Sequence, residues 1–195
     1  MHLIGYYRKQ IFCLLTFSAL ATFDSAFLLT ISINKGMVSF GKVTPHSNFL
    51  LYPITNAIRK FSYTSSIYTI VALALERYLS ICHPEKAKHL CSTSKAKLLI
   101  AIITLFSFLY TIPIFCEHTW EKDGNGTIRA VETILRTEGP VRDVYYPVYR
   151  TWMNFFVRYV IPTISLIILN TLVIKEVIFF IFPFIIFLTD CSLRE

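Results

Sequence analysis

The sequence predicts an all-α membrane fold, and three observations support this prediction. Hydrophobic residues make up 54% of the chain and charged residues only 16%, whereas soluble domains have a lower apolar share and a higher charged share. Several apolar stretches are long enough to cross a hydrocarbon core about 30 Å thick as helices that rise about 1.5 Å per residue. Lysines gather in a short connection between two of these stretches, as they do in cytosolic loops of membrane proteins.

The first predicted span, span A, runs from Ile11 to Ile33 and contains one charged residue, Asp24. An alternative interpretation is a secretory signal peptide. Arg8 and Lys9, the apolar run after them and the letters "SALA" ending at Ala21 satisfy the pattern of such a peptide, including its small-residue cleavage site. The apolar run resumes after Asp24 and reaches full spanning length, which favours a membrane span.

Spans B and C follow, joined by a basic connection. Span B runs from about Phe49 to Ser80 and has charges near both ends, so we expect a tilted helix that protrudes from the membrane. Span C, Leu98 to Cys116, has no charge. The connection "HPEKAKHLCSTSKAK" has four lysines against a single acid, Glu85. The positive-inside rule therefore predicts that this connection is cytosolic.

Span D runs from roughly Thr151 to Ile174 and is interrupted by Arg158 and Pro162. Pro162 frees a backbone carbonyl, which predicts a helix kink at this position. After span D, the tail from Val177 to Asp190 is as apolar as a span. It is shorter than the roughly 17 residues that a spanning helix needs, and Pro183 is expected to break it.

The polar segment Glu117 to Arg150, between spans C and D, is predicted to be an extracellular loop. It contains the turn letters "DGNG" and the sequon "NGT" at Asn125, which indicate a surface turn and a glycosylation site. Alternate crossings put this loop on the side of the membrane opposite the basic connection. The two assignments therefore agree.

Charged side chains inside the spans are candidate functional groups, because a charge at the bilayer centre costs roughly 2.5–3.5 kcal/mol. Asp24 is too short to reach the membrane surface. It could be a polar group bonded to Ser, Thr or Asn of neighbouring helices, or an ion or proton site, and the sequence leaves both open. Arg59, Lys60 and Arg158 could extend outward along their stems. Alternatively, they face a pocket and bind an anionic or carbonyl-bearing ligand.

Other classes of function have little support in the sequence. The net charge is +7, but the basic residues form no stripe interleaved with aromatics, so nucleic-acid binding is not expected. Catalytic triads, phosphate-binding glycine loops and paired catalytic carboxylates are absent from the sequence, so an enzyme is not predicted. The cysteines and histidines near Cys82 match no zinc spacing, and no metal site is predicted.

Glu76, Arg77 and Tyr78 lie where span B meets the cytosol, and the letters "CHP" follow shortly after. Alone they would fit an interfacial charge pair. Together they resemble the E/D-R-Y motif that closes the third helix of rhodopsin-like G-protein-coupled receptors. The stretches "LATFDSAFLL", "YPITNAIRKFSYTSSIYTIVALALERYLSICHP" and "YRTWMNFFVRYVIPTISLIILNTLVIKEV" resemble helices two, three and five of invertebrate FMRFamide-receptor-like peptide receptors.

The resemblance implies roles for residues at the matching positions. Arg77 would hold the inactive state through Glu76 and meet a heterotrimeric G protein once helix six moves away. Asp24 and Ser66 would surround an allosteric sodium ion. Arg59, on the pocket-facing side of the third helix, would contact an amidated extracellular peptide, and Arg158 is a second candidate for that pocket.

The resemblance also implies an incomplete seven-helix receptor bundle. Residues 1–177 would supply helices two to five as four spans, and residues 178–195 would be an apolar tail of another origin. Nothing resembles helices one, six or seven, and the usual cysteine near the outer end of helix three is missing. Because helix six exposes the G-protein site, we expect this chain to be a fragment that does not signal alone.

The implied function is neuropeptide reception by the full-length protein at the plasma membrane. An alternative is a truncated interaction protein that pairs with full-length receptors and reduces their surface delivery. A transporter that uses Asp24 and Arg158 as an ion path is disfavoured, because the spans show no inverted repeat.

Overall fold

The computed structural model describes residues 2–39, 52–90, 92–122, 128–132 and 140–192. Spans A, B, C and D correspond to long helices, which confirms the predicted all-α membrane fold. The elements, in chain order, are α1 (His2–Ser39), α2 (Tyr52–Cys82), α3 (Pro84–Leu90), α4 (Thr93–Phe115), β1 (His118–Lys122), β2 (Ile128–Glu132), α5 (Pro140–Tyr145), the π-helical segments π1 (Tyr146–Met153) and π2 (Phe156–Val160), and α6 (Ile161–Ser192).

Helix α2 is the central element, because α1, α4 and α6 all pack against it. Within the described residues, three stretches are long and apolar enough to cross a membrane: Gln10–Gly36, Thr93–Phe115 and Pro140–Ile181. Helix α2 is more polar than these three, and it buries small polar side chains against its neighbours. These buried residues are Thr55, Asn56, Ser62, Thr64, Ser65, Ser66 and Thr69. The chain is therefore a multi-pass membrane protein in which the most polar of the long helices is shielded by the others.

Contacts at the two ends of the bundle show that successive long helices alternate in direction. At one end, Phe12 of α1 packs with Ala87 of α3 and Ala96 of α4. At the other end, the Thr55 hydroxyl of α2 donates a hydrogen bond to Asn34 Oδ1 of α1, 2.7 Å away. The basic connection therefore lies at the same end as the start of α1. This arrangement agrees with the predicted topology.

Two helices extend beyond the predicted spans. Helix α1 continues without interruption through Ala21 and Asp24. Helix α6 runs from Ile161 to Ser192 and passes through Pro183, so the predicted break at Pro183 is wrong. Proline removes one backbone hydrogen bond, whereas ending a helix in lipid would expose several unpaired backbone groups at several kcal/mol each. Continuing the helix is the lesser penalty.

The segment between α4 and α5 contains an antiparallel β-hairpin, which the sequence analysis did not predict. His118 pairs with Glu132 at one end of the strand pair, and Lys122 pairs with Ile128 at the other. The letters "DGNG" predict a turn, but the flanking strands are too short and too polar to give a recognisable strand pattern. Phe49, the predicted start of span B, and Asn125, the predicted glycosylation site, lie outside the described residues.

The helical run that begins with α5 changes its hydrogen bonding before Pro162. The Ile161 N–H donates to the Phe156 carbonyl, a bond that spans five residues and defines a π-helical turn. Such turns are rare and frequently occur at functional sites. The kink at Pro162 itself stays a prediction. The π2 segment contains Arg158, which is only 3% exposed.

Candidate ligand-binding cavity

A cavity of about 280 Å³ lies between α1, α2 and π2. Its lining consists of basic and aromatic side chains, namely Phe27, Arg59, Lys60, Tyr63, Arg158 and Tyr159. The two residues predicted to face a ligand, Arg59 and Arg158, therefore line one cavity although they are far apart in sequence. Lys60, which the sequence analysis treated as an equal alternative to Arg59, lines it too. Ligand contact by these residues stays a prediction.

Arg158 is fixed by contacts to two neighbouring helices. Its Nε donates a hydrogen bond to Thr64 Oγ1 at 3.0 Å, and its Nη2 lies 3.4 Å from the Lys60 carbonyl oxygen. The guanidinium also lies over the rings of Tyr63 and Tyr110, 5.8 and 5.3 Å from their centroids. These cation–π contacts stabilise a charge that is removed from water. They leave part of the guanidinium's donor set for a ligand.

The other two cations differ in how firmly they are held. Arg59 Nη2 donates to Oδ1 of Asn56 at 2.7 Å, and Asn56 is buried one turn earlier on α2. For the Lys60 ammonium, the part of the chain that the structure describes offers no hydrogen-bond acceptor. Lys60 is therefore the cation of this cavity that most lacks a partner within the described residues.

A second, much smaller cavity of about 20 Å³ is also lined by Lys60 and Arg158 and has room for about one water molecule. Beside it, Glu117 is 1% exposed and accepts a hydrogen bond from the Tyr145 hydroxyl at 2.9 Å. Its other oxygen lies 3.4 Å from Arg150 Nη1 in an ion pair. This cluster connects the end of α4 to the start of the last helical run.

The Glu117 cluster was not predicted from the sequence, because Glu117 and Arg150 lie at opposite ends of the predicted loop. The signal that could have found it is a lone acid directly after an uncharged span, together with the tyrosine-rich letters "VYYPVYR". Tyr149, from that stretch, donates a hydrogen bond to the backbone carbonyl of Tyr110. This hydrogen bond and the Glu117 cluster both connect the end of α4 to the start of the last helical run.

Asp24 and Ser66, the predicted sodium-site residues, are in direct contact. The Ser66 hydroxyl donates to Asp24 Oδ1 over 2.6 Å. Asp24 is exposed, whereas Ser66 is 8% exposed. A carboxylate and a hydroxyl are oxygen ligands of the kind that hard cations prefer, so the pair fits part of an ion's coordination shell. Sodium binding stays a prediction.

The predicted switch residues lie at the end of α2 that packs near α3. Glu76 is buried, at 8% exposure, while Arg77 is exposed, so the two side chains occupy different environments. The Tyr78 hydroxyl lies 3.3 Å from Nε2 of His83, and their rings meet edge to face. Arg77 is thus accessible from the predicted cytosolic side. Its role in coupling stays a prediction.

These features define a multi-pass helical membrane protein with a cationic cavity toward one end and an exposed arginine motif at the other. The family model described as "7 transmembrane receptor (rhodopsin family)" matches residues 8–181. The chain therefore belongs to the rhodopsin family of seven-transmembrane receptors. This finding confirms the resemblance that the sequence motifs indicated.

Several receptors for peptides are similar to this chain. The FMRFamide receptor of Drosophila melanogaster is 32% identical over 87% of this chain and 32% of its own length. The sex peptide receptor of the same species is 31% identical over 70% of the chain and 34% of its own length. The thyrotropin-releasing hormone receptor of Gallus gallus is 32% identical over 57% of this chain and 27% of its own length. The chain spans about a third of the length of these relatives.

Proposed function

We propose that this chain forms the ligand-binding and coupling core of a receptor for an extracellular, FMRFamide-like neuropeptide. In the full-length protein, this receptor acts at the plasma membrane and activates a heterotrimeric G protein. The observation that supports the proposal most directly is the cavity that brings together Arg59 and Arg158. Similarity to the FMRFamide receptor supports a peptide as the ligand class.

Helix α2 offers a physical route between the two functions. It contributes Arg59 and Tyr63 to the cavity and ends near Arg77 on the opposite side of the bundle. Midway, the Tyr68 hydroxyl donates to the Val157 carbonyl at 2.8 Å, which couples α2 to π2. A ligand that contacts both α2 and π2 would stabilise one packing arrangement of these two elements. A shift between arrangements would move the end of α2 and thereby change the position of Arg77.

The test begins with a full-length transcript read across both ends of this coding region. The encoded receptor is expressed in cells and exposed to a panel of RF-amide peptides while G-protein activation is recorded. We expect activation by at least one peptide, and a potency at least about tenfold lower for Arg59→Gln at equal surface expression. Lys175→Gln, which changes an exposed cation on α6, is the matched control. Silence toward the whole panel would contradict the proposal.

One observation favours a second candidate, an interaction protein that pairs with full-length receptors. The apolar side chains of α6 are exposed, including Ile164, Ile167, Ile168 and Ile174, and such a surface faces lipid or another transmembrane helix. Co-expression with a full-length receptor tests this candidate. If the chain is such an interaction protein, co-expression should lower the amount of full-length receptor at the cell surface. An unchanged amount would reject this candidate.

A further inference from the structure

The larger cavity has an unbalanced charge. Arg59, Lys60 and Arg158 line it, and no carboxylate does so among its six described lining residues. Like charges that share a site away from bulk water disfavour one another, and a nearby anion relieves that repulsion. The cavity is therefore electrostatically suited to a negative group.

Two described acids lie on elements next to this cavity, and both are already engaged. Glu117, beside the smaller cavity, binds Tyr145 and Arg150 through its two oxygens. Asp24 lies one helical turn before Phe27 on α1, but it binds Ser66 and does not line the cavity. Neither carboxylate forms an ion pair with Lys60 or lines the larger cavity.

The remaining walls are aromatic. The rings of Phe27 and Tyr63 are stacked with centroids 5.5 Å apart, and Tyr159 completes the lining. A volume of about 280 Å³ is at the lower limit of small-molecule pockets, which begin at roughly 300 Å³. The cavity can hold one or two side chains of a peptide but not a whole peptide.

We infer that this cavity selects a carboxylate attached to an aromatic or apolar group of the ligand, and that it disfavours the arginine of an RF-amide sequence. The inference rests on the proposed function, because it specifies which part of the peptide enters. The carboxylate can come from an acidic side chain or from a free carboxyl terminus. Lys60 is its main partner because its ammonium has no acceptor within the described residues.

Three small probes of nearly equal shape test the charge preference. Benzoate, benzamide and benzamidine share one ring and differ in charge, and each is added to the purified 195-residue chain in detergent. We expect benzoate to raise the melting temperature in a saturable way, whereas benzamide and benzamidine at equal concentration do not. An equal shift with benzoate and benzamide, or a larger one with benzamidine, would overturn the inference.

A pair of variants assigns the effect to the cavity. Lys60→Gln should abolish the benzoate shift, while Lys175→Gln, on the exposed face of α6, should keep it. A benzoate shift that survives in Lys60→Gln overturns the assignment to this cavity. If Lys60→Gln does not fold, the comparison of benzoate with benzamide on the unaltered chain still decides the outcome.

Matched pentapeptides connect the charge preference to the ligand and distinguish its sources. Binding is compared for pentapeptides that keep Phe-Met-Arg-Phe amide and carry Asp, Asn or Lys before it, and for Asn-Phe-Met-Arg-Phe with a free carboxyl terminus. We expect the aspartate peptide or the free-acid peptide to bind at least about tenfold more tightly than the asparagine amide. The lysine peptide should bind least. Tightest binding by the lysine peptide refutes the inference but leaves the proposed function standing, whereas the expected order without any G-protein activation refutes only the proposed function.

Discussion

At the residue scale, Arg158 shows how a buried cation is accommodated in a membrane protein. Its contacts are hydrogen bonds to α2 and the faces of Tyr63 and Tyr110, and the part of the chain that the structure describes provides no acid as its partner. A planar guanidinium spreads several donors over a fork and stacks on ring faces, whereas a lysine ammonium is a compact point charge that spans fewer of these contacts. The identity of the cation therefore matters as much as its charge.

Arg158→Lys should lower the free energy of unfolding by about 1–3 kcal/mol, because the Thr64 hydroxyl and the Lys60 carbonyl lose a donor in a buried site. The measurement is denaturant unfolding of the purified chain in detergent. Lys175→Arg, an exposed exchange between the same two residue types on α6, is the control and should be neutral. Equal effects of the two exchanges would show that the Arg158 contacts contribute no stability.

Glu117→Gln should also destabilise the chain, by about 1–3 kcal/mol, because Arg150 loses its ion-pair partner and Tyr145 loses a charged acceptor. Arg150 is partly exposed, so water screens the pair and the lower part of that range is expected. A double-mutant cycle with Arg150→Gln measures the coupling. Glu85→Gln, on exposed α3, is the control, and complete additivity of the Glu117 and Arg150 effects would contradict the prediction.

For Asp24, we predict sodium-dependent stability. Sodium should raise the melting temperature of the chain more than potassium at the same ionic strength, because the Asp24 carboxylate and Ser66 hydroxyl supply oxygen ligands. Asp24→Asn should remove the difference between the two ions, while Asp143→Asn, at an exposed position, should retain it. Identical melting temperatures in sodium and potassium would reject sodium binding, and the hydrogen bond to Ser66 would then be the contact that accommodates Asp24.

At the element scale, α2 separates ligand contact from coupling along its length. Arg59 lies near its start and Arg77 near its end, and the residues between them are packed by three neighbouring helices. A rigid helix keeps Arg59 and Arg77 at separate ends of the bundle. It can also shift as one body against its neighbours. The π2 segment is the element most suited to respond, because its backbone bonding already departs from α-helical geometry.

This separation predicts that Arg77→Gln in the full-length receptor leaves peptide affinity within about twofold while reducing G-protein activation at least about tenfold. The reason is that Arg77 is exposed at the end of α2 opposite the cavity. Radioligand binding and G-protein activation are measured on the same membranes, with Lys97→Gln, another exposed cation near that end, as the control. A comparable loss of peptide binding would mean that Arg77 acts on the folding of the receptor.

At the scale of the whole molecule, alternating helices place the hairpin and the basic connection at opposite ends. Trypsin added to intact cells should therefore cleave near Lys122 or Arg129 in the hairpin and spare Lys86 and Lys95 in the connection. Mass spectrometry of the membrane fragments identifies the cleavage sites. Cleavage at Lys86 before permeabilisation would reverse the orientation.

The sequence by itself determined the membrane class and the approximate long helices, and it predicts their orientation. These properties depend on local composition, because the length of an apolar run and the charge of its flanks decide whether a segment enters lipid. The receptor family followed from a short local motif, Glu76-Arg77-Tyr78, and the stretches around it. Even so, the break at Pro183 was wrong, since a single missing hydrogen bond is tolerated where ending the helix would expose several backbone groups.

Only the tertiary structure decided which distant side chains touch directly. It placed Lys60 in the cavity beside Arg59 and Arg158 and buried Glu117 against Tyr145. It also showed a direct hydrogen bond between Ser66 and Asp24, which the family resemblance had only placed near one another. These contacts depend on how each helix is rotated and how its register matches its neighbours. Periodicity within one segment does not specify that relation, because it arises from packing between helices that are far apart in the chain.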